Sequence, residues 1–237
     1  MKKRYMLSRH IGAMLAGLAL SGGVAAESAW DVSGNVTATS DYVFRGVSQT
    51  LEDPALQAGV KLAHESGFYG SLWASNVDYG DEIGSDAELD FVVGYGGAFS
   101  EDWSYDVNVT RYTYPGTDDA FDLEYNELIG TLTYKDRFWT MLGWSNDVFA
   151  SDEPGTYVLV GLRFPITERF RLETIAAHYF LDEEAYSDDY SHAQLNAIYA
   201  WDSFDIRATG HFTSSSTEDL FGKVGDSRFE LAASFYF

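Results

Sequence analysis

The segment that decides the fold is residues 87–110, AELDFVVGYGGAFSEDWSYDVNVT. Apolar and polar residues alternate along both of its halves, on either side of a short acidic turn. The apolar set is Ala87, Leu89, Phe91, Val93 and Tyr95, followed by Trp103, Tyr105, Val107 and Val109. A two-residue period predicts two antiparallel strands, each with one apolar face. The opposite faces carry carboxylates that a packed core would reject, so we expect those faces to meet water.

The same alternation recurs from about residue 29 to Phe237 and gives about twelve segments. Every second link is a short turn bracketed by aromatic residues, near 65–67, 100–102, 135–137, 165–168 and 202–203. Rings gathered where strands leave the hydrocarbon are typical of a bilayer interface. The pattern predicts an all-β fold: a transmembrane antiparallel up-and-down β-barrel of about 12 strands, with 10–14 possible.

Three segments depart from the simple pattern. In residues 123–134 the apolar parity shifts, which predicts a bulge near Asn126 or Glu127. Residues 68–77 and 138–146 are apolar on both faces, so we expect their inner side to pack against something.

The amino-terminal 26 residues have the composition of an export signal. Lys2, Lys3, Arg4 and Arg9 precede an apolar run from Ile11 to Leu20, and small residues follow up to Ala26. This order predicts a signal peptide over 1–26, removed after Ala26, and one barrel domain over 27–237. The apolar run is too short to cross a bilayer as a helix. Export without such an anchor leaves the periplasm, the outer membrane or the medium, and the barrel pattern favours the outer membrane of a Gram-negative bacterium.

Charge and cysteine content exclude several classes of function. The chain has 15 Lys and Arg against 37 Asp and Glu, and without the leader 11 basic residues remain, for a net charge of −26. Nucleic acid is therefore not an expected partner. There is no cysteine, which excludes disulfides and thiolate chemistry.

Most of the acidic residues lie in the long links, which an even strand number would place outside the cell. These links are 41–54, 78–86, 115–122, 147–156, 181–190 and 213–227. They contain 21 acidic residues and two basic ones, Arg45 and Lys223. An acidic rim could bind divalent cations that bridge to lipopolysaccharide, concentrate cations at a pore mouth, or simply keep the loops solvated.

The last nine residues, FELAASFYF, alternate and end in Phe237. This pattern looks like the terminal strand signal that the bacterial barrel-assembly machinery reads. It predicts that machinery as a partner, together with outer-membrane lipids and lipopolysaccharide.

Several strings carry a family resemblance: SDYVFRGVSQT (40–50), HESGFYGSLWASNVD (64–78), ELDFVVGYGG (88–97), YDVNVTRYTYPG (105–116) and EYNELIG (124–130). They resemble the proteobacterial TorF family of putative porins. The resemblance implies an outer-membrane barrel and carries no agreed substrate or catalytic residues.

For a channel, the charged residues that face the lumen decide what passes. Strand parity assigns twelve to the pore lining: Lys61, Glu88, Asp90, Asp106, Arg163, Arg169, Arg171, Glu173, Asp205, Arg207, Arg228 and Glu230. Six basic and six acidic residues are consistent with a wet pore or with a plug of ion pairs. Arg163, Arg169 and Arg171 flank one turn and are the candidate constriction cluster.

We therefore expect a channel for passive diffusion of small hydrophilic solutes or ions, and not an enzyme. The alternative is a non-conducting scaffold that binds lipopolysaccharide or mediates adhesion. A remoter alternative is a lipid hydrolase, since His178 and Ser191 share the lipid-facing parity on neighbouring strands. The sequence predicts no cofactor and no metal site, because the acidic stretch from Asp78 lacks the spacing of a calcium loop.

Overall fold

The structure is a computed structural model that describes residues 28–81, 83–118 and 121–237. The predicted signal peptide, 1–26, lies outside the described residues, and its removal remains a prediction.

Strands account for most of the described chain. They are β1 Trp30–Thr39, β2 Val43–Phe44, β3 Val47–Ser48, β4 Ala55–His64, β5 Phe68–Asn76, β6 Ala87–Ala98, β7 Trp103–Thr113, β8 Tyr125–Tyr134, β9 Phe138–Ser145, β10 Gly155–Pro165, β11 Phe170–Leu181, β12 Tyr190–Ala200, β13 Phe204–Thr213 and β14 Arg228–Tyr236. One α-helix, α1 Ser215–Phe221, and two 3-10 helices, Val148–Ala150 and Gly222–Gly225, lie in the links.

Twelve of these strands form a closed antiparallel barrel, as the sequence predicts. Each strand from β4 to β14 pairs with its neighbour in the chain, and β1 closes the wall by pairing with both β4 and β14. The carboxyl-terminal Phe237 completes this seam by exchanging backbone hydrogen bonds with Gly34. The remaining strands, β2 and β3, form a separate hairpin. Because the barrel is closed, the backbone edge of each of its strands pairs with a neighbouring strand. A wall of strands in hydrocarbon requires this pairing.

The two ends of the barrel differ, and we call them the turn end and the loop end. At the turn end, neighbouring strands are joined by the short links that the sequence predicts, such as 65–67 and 135–137. At the loop end, long links join them, including loop 1 (residues 40–54), which contains the β2–β3 hairpin.

The outer face of the wall is apolar and the inner face is mostly polar. Large exposed hydrophobic side chains include Val32, Leu56, Val93, Leu142 and Phe229. Their sequence neighbours on the inner face are hydrophilic along most strands, among them Glu88, Asp106, Thr131, Asn196 and Glu230. Exposed rings at the turn end form the predicted girdle: Trp30, Phe68, Phe99, Trp103, Phe164, Trp201, Phe204 and Phe237.

The bulge predicted near Asn126 or Glu127 is wrong. The register of β8 runs without interruption against β7 from Tyr125 to Tyr134, and against β9 from Leu128 to Tyr134. The parity shifts because Tyr125 faces inward, fully buried beside the equally buried Glu127. The shift in parity therefore reflects an inward-facing aromatic residue and not an inserted residue.

Part of the lumen is filled by an apolar core that extends from the loop end towards Trp139, near the turn end. The inner faces of β9–β12 contribute Trp139, Tyr157, Leu159, Ile175, Ala177, Tyr179, Leu181 and Tyr190. Links from the loop end fold inward onto them, with Val47, Val148, Phe149, Leu220 and Phe221 in contact. This agrees with the prediction that residues 138–146 pack on their inner side.

Across the described ranges, no helix has the length and apolar character needed to span a bilayer.

Candidate functional site in the barrel lumen

Loop 1 enters the barrel instead of projecting from it. The chain turns at Arg45 and Gly46, which both have positive φ, 49° and 90°. A Cβ added at Gly46 would lie 3.0 Å from the Cβ of His192 on the inner face of β12. Glycine is therefore required at this tip both for its backbone conformation and for its close approach to the wall.

Arg45 is anchored deep inside the lumen. Its Nη1 and Nη2 donate to the two carboxylate oxygens of Glu127 on β8 at 2.8 and 2.7 Å, and Nη1 also donates to the Tyr179 hydroxyl at 2.9 Å. The guanidinium lies 4.0 Å from the centre of the Tyr157 ring. Burial alone would lower the pKa of Arg45, but Glu127 and Tyr179 hold that pKa well above its usual value. Arg45 is therefore charged, and its side chain links loop 1 to β8.

The Arg45–Glu127 pair is buried on both sides, with side-chain exposures of 6% and 1%. Glu127 also accepts a hydrogen bond from the Tyr112 hydroxyl at 3.1 Å. Removing one member of such a pair leaves an uncompensated charge and costs about 3–5 kcal/mol. This pair is the principal lock that holds loop 1 inside.

A second set of contacts holds the base of loop 1. The carboxylate of Asp41 accepts hydrogen bonds from Ser48 at 2.6 Å and from Thr50 at 3.1 Å, both within the loop. Arg228, the first residue of β14, contacts Asp41 at 3.1 Å. An exposed pair, Lys223 with Glu52 at 3.2 Å, adds a contact at the rim.

The inner face of β6 is different, because each of its two carboxylates has a buried oxygen atom without a hydrogen-bond partner among the described residues. Glu88 and Asp90 are 2% and 5% exposed. Glu88 Oε1 accepts from the Tyr114 hydroxyl at 3.1 Å, whereas Glu88 Oε2 and Asp90 Oδ1 are buried without a hydrogen-bond partner. Within the described ranges, neither carboxylate has a basic side chain at ion-pair distance. We call β5–β7 the acidic wall and β9–β12 the sealed wall.

The predicted constriction cluster at the turn end is brought together only in part. Arg163 and Arg171 share one carboxylate, that of Glu173, at 2.6 and 2.9 Å. Arg163 also donates to the backbone carbonyl of Asp136 at 3.1 Å. Arg169 lies in the link between β10 and β11, where it is exposed and does not belong to either strand. Two arginines against one glutamate leave local positive charge at this end.

The remaining sequence-assigned lumen charges are mostly paired. Asp106 accepts from the Tyr69 hydroxyl at 2.9 Å, and the ammonium of Lys61 lies 3.6 Å from the centre of the same ring. Asp205 accepts from the Tyr236 hydroxyl at 2.8 Å.

A further cluster centres on Glu230 of β14. Its carboxylate contacts Arg207 at 3.3 Å and His211 at 2.9 Å, and it accepts from Thr39 at 2.9 Å. Arg228 belongs with loop 1 at the loop end, as described above. Glu88 and Asp90 are thus set apart from the other assigned carboxylates.

Sequence reasoning missed the residues that fill the lumen. Arg45 was counted only as a loop residue, and Glu127 was placed in a bulge. The available signal was that Arg45 is one of only two basic residues among 21 acidic ones in the long links. A lone arginine between aromatic and glycine residues, FRG at 44–46, is consistent with a buried anchor.

On the outer wall, the His178 and Ser191 side chains do meet. Ser191 Oγ lies 2.8 Å from His178 Nδ1, and the other ring nitrogen lies 3.4 Å from Asp189 Oδ2. This arrangement faces outward near the loop end. A second Ser–His contact, Ser66 with His64 at 2.8 Å, lies at the turn end, and no described carboxylate forms an ion pair with it. The contact alone is therefore not specific to catalysis.

Among the described residues, no group of three or more His, Asp or Glu side chains could hold a metal ion.

The sequence profile of a family of bacterial proteins of unknown function, Gcw_chp, matches residues 24–224. The chain belongs to this family. No curated protein sequence gives a significant match. The narrower TorF resemblance remains a prediction.

Solved structures show the same fold. The NanC porin superposes with a TM-score of 0.56 at 10% identity, covering 85% of this chain and 98% of that one. The KdgM porin gives a TM-score of 0.55 at 9% identity, covering 86% and 99%. An outer membrane channel from Pseudomonas putida F1 gives 0.50 at 12% identity, covering 92% and 99%. At these identities the likeness establishes the barrel architecture.

Proposed function

We propose that this protein is an outer-membrane channel through which small hydrophilic solutes or ions diffuse passively. The observation that carries the proposal is a closed wall whose apolar face is turned outward while its inner face carries charged and polar side chains. A polar lining lowers the cost of moving a hydrophilic solute through hydrocarbon. The porin architecture of the solved structures supports the same function.

One side of the lumen is filled and the other side is available for solutes. The sealed wall packs against loops at the loop end, so the path for solutes lies along the opposite side of the lumen. Partly exposed inner residues there include Gln57, Lys61, Trp73, Asn108 and Arg207. Loop 1, held by Arg45, narrows this path from the loop end. The expected channel is therefore narrow and eccentric.

The membrane setting follows from the same surfaces. The girdle of rings at the turn end and the apolar outer wall fit outer-membrane lipids, and the acidic loops would lie at the lipopolysaccharide surface. Phe237 sits at the closing seam with its side chain 48% exposed. That position is accessible to the barrel-assembly machinery, which we propose as a partner.

The experiment is single-channel recording on protein refolded into a planar bilayer. Discrete conductance steps are expected, and the R45A variant should give larger steps because loop 1 loses its anchor. Absence of steps from both proteins would reject the channel and favour the non-conducting scaffold, for which the filled sealed wall is the supporting observation.

A second candidate, a lipid hydrolase, is favoured by one observation: the contacts of His178 with Ser191 and Asp189. A serine hydroxyl, an imidazole and a carboxylate in sequence can form a nucleophile and its base. The test is hydrolysis of a fluorescent phospholipid by the refolded protein. Loss of turnover in S191A but not in S66A would support this activity, and no turnover by the wild-type protein would reject it.

A further inference from the structure

The unpaired carboxylates of the acidic wall point to a ligand. Glu88 and Asp90 lie two residues apart on the same inner face of β6. Among the described residues, Glu88 Oε2 and Asp90 Oδ1 are buried acceptors without a donor. A buried polar group without a partner costs free energy, and two neighbouring carboxylates add mutual repulsion. A bound cation would relieve both costs.

Aromatic side chains surround the carboxylate pair. Trp73 and Tyr112 lie opposite Asp90 on the neighbouring strands β5 and β7. Tyr42 from loop 1 packs against Trp73, with ring centres 5.3 Å apart, and burial together with Glu88 raises the pKa of Tyr42 well above its usual value. The Tyr42 hydroxyl therefore stays neutral. Rings beside carboxylates favour cations, because a ring face attracts positive charge.

An acidic cleft lies at the loop end of the barrel, beside the residues that lead into β6. It has a volume of about 420 Å³ and is lined by Thr50, Asp53, Asn76, Val77, Asp78, Gly80, Asp81, Gly84, Ser85 and Asp86. Four of these residues carry carboxylates and none is basic. Asp86 leads into β6 two residues before Glu88. A cleft of one charge sign raises the local concentration of cations.

We infer that Glu88 and Asp90 form a binding site for a small monovalent cation, either a protonated primary amine or an alkali ion, reached through the acidic cleft. Calcium is disfavoured because it takes six to eight oxygen ligands, whereas the described residues offer two unpaired carboxylate oxygens here. The inference deepens the proposed channel function by naming the class of solute that the lumen recognises.

The test is isothermal titration calorimetry on refolded protein in detergent, with tetrabutylammonium as the only buffer cation because it is too bulky for the site. The probes are butylammonium, potassium and the neutral alcohol 1-butanol. We expect butylammonium or potassium to bind and 1-butanol not to bind. The E88Q/D90N variant should weaken cation binding roughly tenfold or more, because hydrogen bonds to charged groups are lost.

The matched control is D205N, which removes a lumen carboxylate that already has a hydrogen-bond partner, Tyr236. It should bind the cation as the wild-type protein does. Binding of butylammonium only identifies an amine site, and binding of potassium only identifies an alkali site. The inference is overturned if neither cation binds to the wild-type protein, or if E88Q/D90N binds it unchanged.

The wild-type measurement alone can overturn the inference, so it does not depend on how the variant folds. The binding measurement also tests the cation site independently of the channel proposal. Binding without conductance would reject the channel and keep the site, whereas conductance without binding would keep the channel and reject the site.

Discussion

The sealed wall and the acidic wall belong to one barrel, yet they face the lumen in opposite ways. On β9–β12, Leu159, Ile175 and Tyr179 belong to one buried apolar cluster, which also includes side chains from inward-folded links. On β5–β7, the carboxylates of Glu88 and Asp90 remain without a cationic partner among the described residues. The same alternating pattern therefore produces a small hydrophobic core on one side and a polar lining on the other. Alternation specifies which face points inward, and the loops decide what that face contacts.

The largest effect is expected from breaking the Arg45–Glu127 pair that holds loop 1 in the lumen. Replacing Glu127 by alanine leaves Arg45 charged and unpaired, at a cost of about 3–5 kcal/mol. We expect loop 1 to leave the lumen and the single-channel conductance to rise several-fold. The matched control is E52A, which removes an exposed partner of Lys223. Unchanged conductance in E127A would contradict the role of Arg45 as the anchor.

The next effect compares one residue from each wall. The I175A variant removes packed atoms from the sealed wall and should lower the free energy of unfolding by about 2–5 kcal/mol. The S71A variant on the acidic wall removes a hydroxyl that is buried without a partner, so it should be neutral or slightly stabilising. Urea unfolding in lipid vesicles, followed by tryptophan fluorescence, measures both. Equal losses would mean that the two walls are packed alike.

A smaller effect is expected from crowding the lock. A Cβ added at Gly143 on β9 would lie 2.5 Å from Glu127 Oε1 and 3.3 Å from Arg45 Nη2. The G143A variant should therefore displace the pair and lower the free energy of unfolding by about 1–3 kcal/mol. The control is G130A, since an added Cβ at Gly130 meets nothing within 4 Å. The same unfolding assay should show no loss for G130A, and equal losses for the two variants would argue against crowding at the lock.

The smallest effect concerns the rim. Lys223 is 80% exposed and its pair with Glu52 is open to solvent, so the K223A variant should change the free energy of unfolding by no more than about 1 kcal/mol. The change should vanish in high salt. A loss that persists in 1 M salt, measured in the same assay, would show that loop 1 depends on the rim more than on Arg45.

The fold was predictable because hydrophobic alternation reports directly which residues face lipid. The hairpin at 87–110 shows this, since its two strands, its turn and the residues of its polar face follow from the sequence. The interior of the loop end was not predictable in the same way. Tyr125 is an aromatic residue that faces inward, and Arg45 is a cation that belongs to a loop but is buried. Both positions depend on contacts between separate segments of the chain, such as the Arg45–Glu127 pair.

The assigned lumen charges show the same limit. Parity places Glu173, Arg228 and Glu230 on the inner face, but it does not identify their partners. Glu173 pairs with Arg163 and Arg171, Glu230 pairs with residues of β13, and Arg228 pairs with Asp41 in loop 1. Arg169 illustrates the boundary problem, since it lies one residue before the first residue of β11 and is exposed. The contacts between distant segments depend on how the loops pack, and the two-residue period of a strand carries no information about that packing.

The most direct test of two unlike walls uses the absence of cysteine from the chain. Single cysteines would be placed at Gln57, beside the acidic wall, and at Ala177, on the sealed wall, and treated with a cationic thiol reagent during single-channel recording. The account predicts that the reagent reduces the current through Q57C and leaves the current through A177C unchanged. Equal modification of both variants, or modification of A177C alone, would contradict it.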